Sequence, residues 1–97
     1  MYARVMSTNL KKVTIDEAGK EWRTHIEPFK KSGMKKAYMF VDRETGKNLS
    51  ITIWESDHVQ KKNAGSPEQK AGREAMTVKY FEAPPSPMGY EVLEVIE

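Results

Sequence analysis

A histidine, two arginines and four large aromatic side chains carry most of the chemistry open to this chain. His25 follows Trp22 by three residues, so on a helix the two share a flank, and an imidazole that titrates near neutral pH would stand beside an indole. Facing a pocket, His25 would be a general base; facing outward, it is a boundary histidine with one wet side. Arg4 and Arg73 each present a planar fork of donors that binds an oxyanion when turned inward and is solvated otherwise. Tyr38, Trp54 and Tyr80 are flat and apolar with one polar tip, which suits the wall of a pocket for a planar ligand, or packing in a core or dimer interface. The second histidine, His58, falls in the first turn of a short helix and is expected in solvent. There is no cysteine and no histidine pair at ligand spacing, so thiolate chemistry is excluded and no metal site is expected.

These side chains need elements to hold them. Tyr2-Ala3-Arg4-Val5-Met6-Ser7 is partly alternating and β-permissive, and predicts a first strand that carries Arg4 and ends at the polar run Thr8 to Lys12. Thr14 followed three residues later by Glu17 predicts a capping box, after which Ile15, Ala18, Trp22, Ile26 and Phe29 recur at helical spacing as one apolar stripe. Pro28 should stop or kink this helix near Glu27, with Ser32-Gly33 turning into the next strand. The stretch from Ala37 to Trp54 reads as a β-hairpin closed by Gly46. Ala37, Met39 and Val41 alternate there with Tyr38 and Phe40, and Leu49, Ile51 and Ile53 alternate with Ser50, Thr52 and Trp54, so both faces want cover. Ser56 is expected to cap a short helix to Lys62. Ser66-Pro67-Glu68-Gln69 predicts a longer one from Pro67 to about Tyr80, which holds Arg73 and Tyr80. Ala83 to Pro87 cannot be helical, and Tyr90 to Ile96 is expected to form the last strand.

Strand, helix, strand, strand, helix, strand is the order of an α+β ferredoxin-like βαββαβ protomer, a four-stranded antiparallel sheet with helices on one face. The other face carries either Tyr38, Phe40 and Trp54, or Met39, Val41, Leu49 and Ile53, more apolar surface than a soluble monomer usually leaves wet. A second copy of the sheet is the economical cover, so a homodimer through the open face is expected.

Bulk properties narrow the classes. Ninety-seven residues make one domain, 1–97, and 16 Lys plus Arg against 14 Asp plus Glu leave a net charge of +2, too near balance to argue for a nucleic-acid or anionic-membrane partner. No apolar run approaches the roughly 18 residues of a membrane helix, and Met1 to Leu10 lacks the pattern of a signal peptide, so a cytoplasmic protein is expected. Lys35 to Val41 echoes the aromatic strand of RNA-recognition modules, but it lies on the second strand rather than the third and lacks the glycine of that motif.

The hairpin with its Val41-Asp42-Arg43 corner, Thr45-Gly46-Lys47 turn and Ile51-Thr52-Ile53-Trp54-Glu55-Ser56 exit, the Tyr2-Ala3-Arg4-Val5 start, and a Trp-containing first helix followed by Pro28 resemble one known family. They look like the antibiotic biosynthesis monooxygenase-like domains of the dimeric α/β-barrel superfamily, over nearly the whole chain. The resemblance implies two protomers whose sheets pack face to face as an α/β barrel. It also implies a pocket between sheet and helices where an electron-rich aromatic compound is deprotonated and reacts with oxygen, with no cofactor. By the same resemblance Asn9, just after the first strand, joins His25 as a catalytic candidate, and Arg4, Trp22, Tyr38, Trp54, Arg73 and Tyr80 are the candidates for binding a small aromatic ligand. The second long helix contains neither His nor Trp, which disfavours the haem-degrading branch. The superfamily holds many chemistries, so the alternative is a non-catalytic dimeric protein of the same fold that binds a small ligand or a partner.

Overall fold

The computed structural model describes residues 1–97 as β1 (Tyr2–Asn9), α1 (Ile15–Ile26), β2 (Met34–Val41), β3 (Lys47–Trp54), α2 (Asp57–Ala64), α3 (Pro67–Tyr80) and β4 (Ser86–Glu91), with 3-10 turns at Lys12–Thr14 and Glu27–Ser32. The strands form one sheet in the order β2-β3-β1-β4, antiparallel at every pairing. This is the expected ferredoxin-like layout.

Local chemistry explains most of the boundaries. Pro28 opens the 3-10 turn that ends α1, and Gly33 closes it at φ +100°, where a Cβ would stand 2.5 Å from Val59 Cγ1. Gly46 turns the hairpin at φ +81°, its amide donating to the Asp42 carbonyl at 2.7 Å, while the Asp42 carboxylate accepts from the Glu44 amide at 2.9 Å. Ser56 and Ser66 cap α2 and α3 by accepting from the amides of Val59 and Gln69 at 3.2 and 3.3 Å. The Gln69 side chain does not reach back to Ser66 but donates to Asn63 Oδ1 at 2.9 Å, which ties α3 to α2.

Three expectations are corrected. Thr14 forms no capping box with Glu17: its hydroxyl donates to the Lys11 carbonyl at 2.7 Å, because the 3-10 turn before α1 already brings that carbonyl within reach. β1 continues through Thr8 and Asn9, paired with Asn48 and Lys47, since β3 begins at Lys47 and offers partners that far. β4 lies at Ser86–Glu91 rather than Tyr90 to Ile96. Pro87 is tolerated because β4 is an edge strand, and after Val92 donates to the Met1 carbonyl at 3.0 Å no residue of β1 stands opposite.

The hairpin register sorts the two faces. Val41 pairs with Asn48, Met39 with Ser50 and Ala37 with Thr52, while Phe40 pairs with Leu49 and Tyr38 with Ile51. The open face therefore combines Tyr38 and Phe40 with Leu49, Ile51 and Ile53, joined by Ala3, Val5, Met88 and Tyr90 from β1 and β4, a grouping that differs from both expected alternatives. The helix-covered face carries Arg4, Met6, Thr8, Asn48, Ser50, Thr52 and Trp54 of β1 and β3, and Ala37, Met39 and Val41 of β2. A sheet usually buries its apolar row and wets its polar one. On the central strands β1 and β3 the assignment is inverted.

Consequently the core is divided. Leu10, Ile15, Ala18, Met76 and Tyr80 form one buried cluster and Phe29, Met34 and Trp54 another, and only 14 of 97 residues are buried, because polar side chains occupy the covered face between the clusters.

Candidate functional site

Between the two clusters lies a cavity of about 70 Å³, bounded by the covered face of the sheet, α1, α2, α3 and the Ala83–Pro85 connection. Strand alternation puts Arg4, Met6 and Thr8 of β1 beside Asn48, Ser50, Thr52 and Trp54 of β3 in its wall. The helices add Trp22 and Ile26 from α1, Gln60 and Ala64 from α2, and Gln69 and Arg73 from α3, with Phe81 and Pro85 closing one side.

Both tryptophans of the chain line this space, and both are anchored from the sheet. The Trp22 indole donates to Ser50 Oγ at 2.8 Å and the Trp54 indole donates to Thr52 Oγ1 at 2.7 Å. Each hydroxyl thereby fixes one ring in place. Asn48 is similarly tied, its amide donating to the Phe40 carbonyl at 2.9 Å, and Thr8 donates to the Ala83 carbonyl at 2.8 Å. Gln60 as a whole is 2 % exposed and lines the cavity, and since the fold has no buried side-chain polar atom without a partner, its amide is not a sealed, unsatisfied group.

Arg4 and Arg73 stand at the mouth. Both also line an adjoining outer cleft of about 430 Å³ with Met6, Glu74, Thr77 and the prolines Pro84, Pro85 and Pro87. Arg73 donates to the Ala64 carbonyl at 3.3 Å and Arg4 only to Met6 Sδ at 3.4 Å. None of the ion pairs of the fold includes either guanidinium. Burial, and then the nearby Arg73 charge, hold the Arg4 guanidinium below its ordinary range. Two uncompensated cations beside a cavity with no carboxylate in its wall make a region of positive potential.

The other sequence candidates lie elsewhere. His25 sits on the seam between α1 and α3, against Gly72, with Nε2 3.4 Å from Glu21 Oε2, and it does not line the cavity. Tyr80 belongs to the buried cluster, and its hydroxyl donates to Glu21 Oε1 at 2.9 Å, which holds the phenol above its ordinary range. Asn9 is exposed at the end of β1, its amide donating to the Thr45 carbonyl at 3.4 Å. Tyr38 stacks on Phe40 on the open face and borders a separate, open depression between α1 and β2 with Lys30, Lys35 and Lys36. Arg4, Trp22, Trp54 and Arg73 are the four that the fold brings together. Sequence reasoning did not single out Gln60, Ser50, Thr52 or Asn48; their signal was the polar row Asn48-Ser50-Thr52 alternating with Leu49-Ile51-Ile53, whose direction depends on pairing register.

No family model matches this chain, and no curated protein matches it by sequence. Solved structures do match it. A monooxygenase of Streptomyces coelicolor, solved in complex with nanaomycin D, superposes with a TM-score of 0.79 at 19% identity over 99% of this chain and 90% of that one. A Caulobacter crescentus protein provisionally described as an antibiotic biosynthesis monooxygenase gives a TM-score of 0.79 at 17% identity, over 96% of this chain and 90% of that one. A Deinococcus radiodurans protein of the same provisional description gives 0.79 at 12% identity, over 100% and 97%. Over nearly its whole length, therefore, this chain has the fold of the antibiotic biosynthesis monooxygenase-like structures, a ferredoxin-like βαββαβ protomer.

Proposed function

We propose that the cavity binds a small aromatic phenol and that the protein oxidises it with dioxygen without a cofactor. The observation that carries this reading is the pair of unpaired guanidiniums, Arg4 and Arg73, beside a space walled by Trp22 and Trp54. No carboxylate, histidine or tyrosine lines that space, so no side chain there is suited to take a proton near neutral pH. Ionisation of the substrate would instead be driven by positive potential, which lowers the pKa of a phenol held beside it. The phenolate pushes charge onto a ring carbon, which bonds to one atom of dioxygen, and the resulting peroxide anion takes up the proton. Loss of the hydrogen from that carbon and of hydroxide from the peroxide breaks the O–O bond. One oxygen ends as a ring carbonyl and the other as water, with four electrons supplied by the substrate. The fold neighbours named as monooxygenases support the reading, and so does the ligand of the Streptomyces coelicolor structure.

The size of the cavity restricts what is enclosed. Drug-sized ligands fill pockets of about 300–1,000 Å³. A space of about 70 Å³ therefore encloses at most one ring, and the rest of a substrate would occupy the outer cleft.

A second reading is favoured by one observation: neither histidine of the surrounding helices, His25 on α1 or the exposed His58 on α2, lines the cavity, which suits a protein that binds an aromatic ligand without turning it over. Oxygen uptake with a panel of hydroquinones and polyketide-like phenols separates the two. The proposal expects uptake, lost in Arg4→Gln and Arg73→Gln and unchanged in His25→Ala. Binding without uptake across the panel would establish the second reading instead.

The open face belongs to the same proposal. Phe40, Tyr90 and Met88 are 50–55 % exposed on it, beside half-buried Val5, Leu49, Ile51 and Ile53. A second copy of this chain covers that surface by isologous packing, sheet against sheet.

A further inference from the structure

The charge around the cavity says more about the substrate than its aromatic walls do. A phenol delivers at most one negative charge, and only after it ionises. The mouth holds two guanidiniums with no acidic partner within ion-pair distance, and the Gln60 side chain lines the same cavity. A partly buried charge without a counter-charge is costly. A ligand with one permanent negative charge would neutralise one guanidinium on binding, and ionisation of its hydroxyl would neutralise the second. A planar carboxylate also matches the guanidinium fork, which a phenolate oxygen alone does not fill.

We infer that this site takes hydroxyaryl carboxylates, single-ring phenols that bear a carboxylate, held by Arg4, Arg73 and the amide of Gln60 with the ring between Trp22 and Trp54. The inference rests on the binding reading above and names its substrate class. Arg4 and Arg73 border both the inner cavity and the outer cleft, so the carboxylate sits at the neck between them. Glu74, the one acid of the outer cleft, does not line the inner cavity. Ring and charge are both required: the indoles recognise the first and the arginines the second.

The test uses the full chain and its own fluorescence, since its two tryptophans both line the cavity. 4-Hydroxybenzoate, the uncharged isostere 4-hydroxybenzamide, and acetate are titrated separately. The expected result is that the acid binds at least about tenfold tighter than the amide, as loss of a charge-assisted pair at a partly buried site predicts, and that acetate binds weakly. Arg4→Gln and Arg73→Gln should each remove the preference for the acid while amide binding remains; Lys30→Gln, in the open depression beyond α1, should not. Bound acid should also show phenolate absorbance at a pH where the free phenol is protonated. Equal affinity for acid and amide overturns the inference, as does acetate binding as tightly as the aromatic acid. If neither glutamine variant folds by circular dichroism, the acid-to-amide ratio of the unmodified chain decides alone. Oxygen uptake from neutral phenols with no preference for the acid would sink the inference and leave the oxidation reading standing. Preferential acid binding with no uptake would do the reverse.

Discussion

Arg4 shows how a residue can serve a site at the expense of the fold. Its guanidinium is half-buried, bonded only to a sulfur, and pushed below its ordinary range by burial and by Arg73. The charged form is therefore less stable folded than unfolded, and deleting the charge relieves that cost. Arg4→Met is expected to raise the melting temperature of the ligand-free protein while it weakens binding of the aromatic acid to about the level of the amide; a lower melting temperature would show that Arg4 is structural. Glu21 is the opposite case. Bonds from Lys79, at 3.0 and 3.2 Å, and then from Tyr80, at 2.9 Å, hold its carboxylate below the ordinary value of 4.5. Because its folded pKa is depressed, its stabilisation is present above about that value and lost as pH falls through the folded one. Melting temperature followed between neutral and acidic pH should therefore fall less steeply in Glu21→Gln than in the parent chain, with the variant already less stable at pH 7. His25 shares Glu21 as a partner, so its place on the α1–α3 seam gives it a structural reason to be there.

At the scale of elements, the turn at Gly46 is where the hairpin is set. It joins β2 to β3, and a Cβ there would meet the Leu10 carbonyl oxygen at 2.6 Å in a backbone that already has φ +81°. Gly46→Ala should cost about 1–3 kcal/mol in denaturant unfolding, the range for a strained left-handed residue. That turn, the stop at Pro28 and the cap at Ser66 were legible because each depends on residues next to one another in sequence. Thr14 was misread because a 3-10 turn presents a nearer acceptor, and a capping box cannot be told from that alternative by spacing alone. The end of the last strand was misread for a different reason: Tyr90 to Ile96 has strand propensity, but a strand needs a neighbour, and β1 provides one only as far as Tyr2. The site was half legible. Arg4, Trp22, Trp54 and Arg73 could be named from their types, yet their convergence depends on a pairing register that puts Ser50 and Thr52 under the helices. Gln60, on a short polar helix, carried no signal until that register was known.

For the whole molecule, the inverted sheet links two functions that are separate in most domains. The polar row that builds the cavity and the apolar row that faces outward belong to the same strands, so the sequence that makes the pocket also makes the surface a second copy would cover. Phe40→Asp is expected to give a folded monomer by light scattering and circular dichroism. Met39→Asp, one residue away but packed against the Leu10 cluster, should destabilise the fold itself by at least about 2 kcal/mol. If Phe40→Asp stays dimeric, the open face is not the interface. No helix is long and apolar enough to cross a membrane. The divided core has one further effect. Two packed clusters on either side of unfilled space occupy more volume than their atoms require, and that surplus is released when the chain unfolds. Hydrostatic pressure should thus act on this protein as a selective denaturant, and a ligand that fills the cavity should make it less compressible as well as more stable.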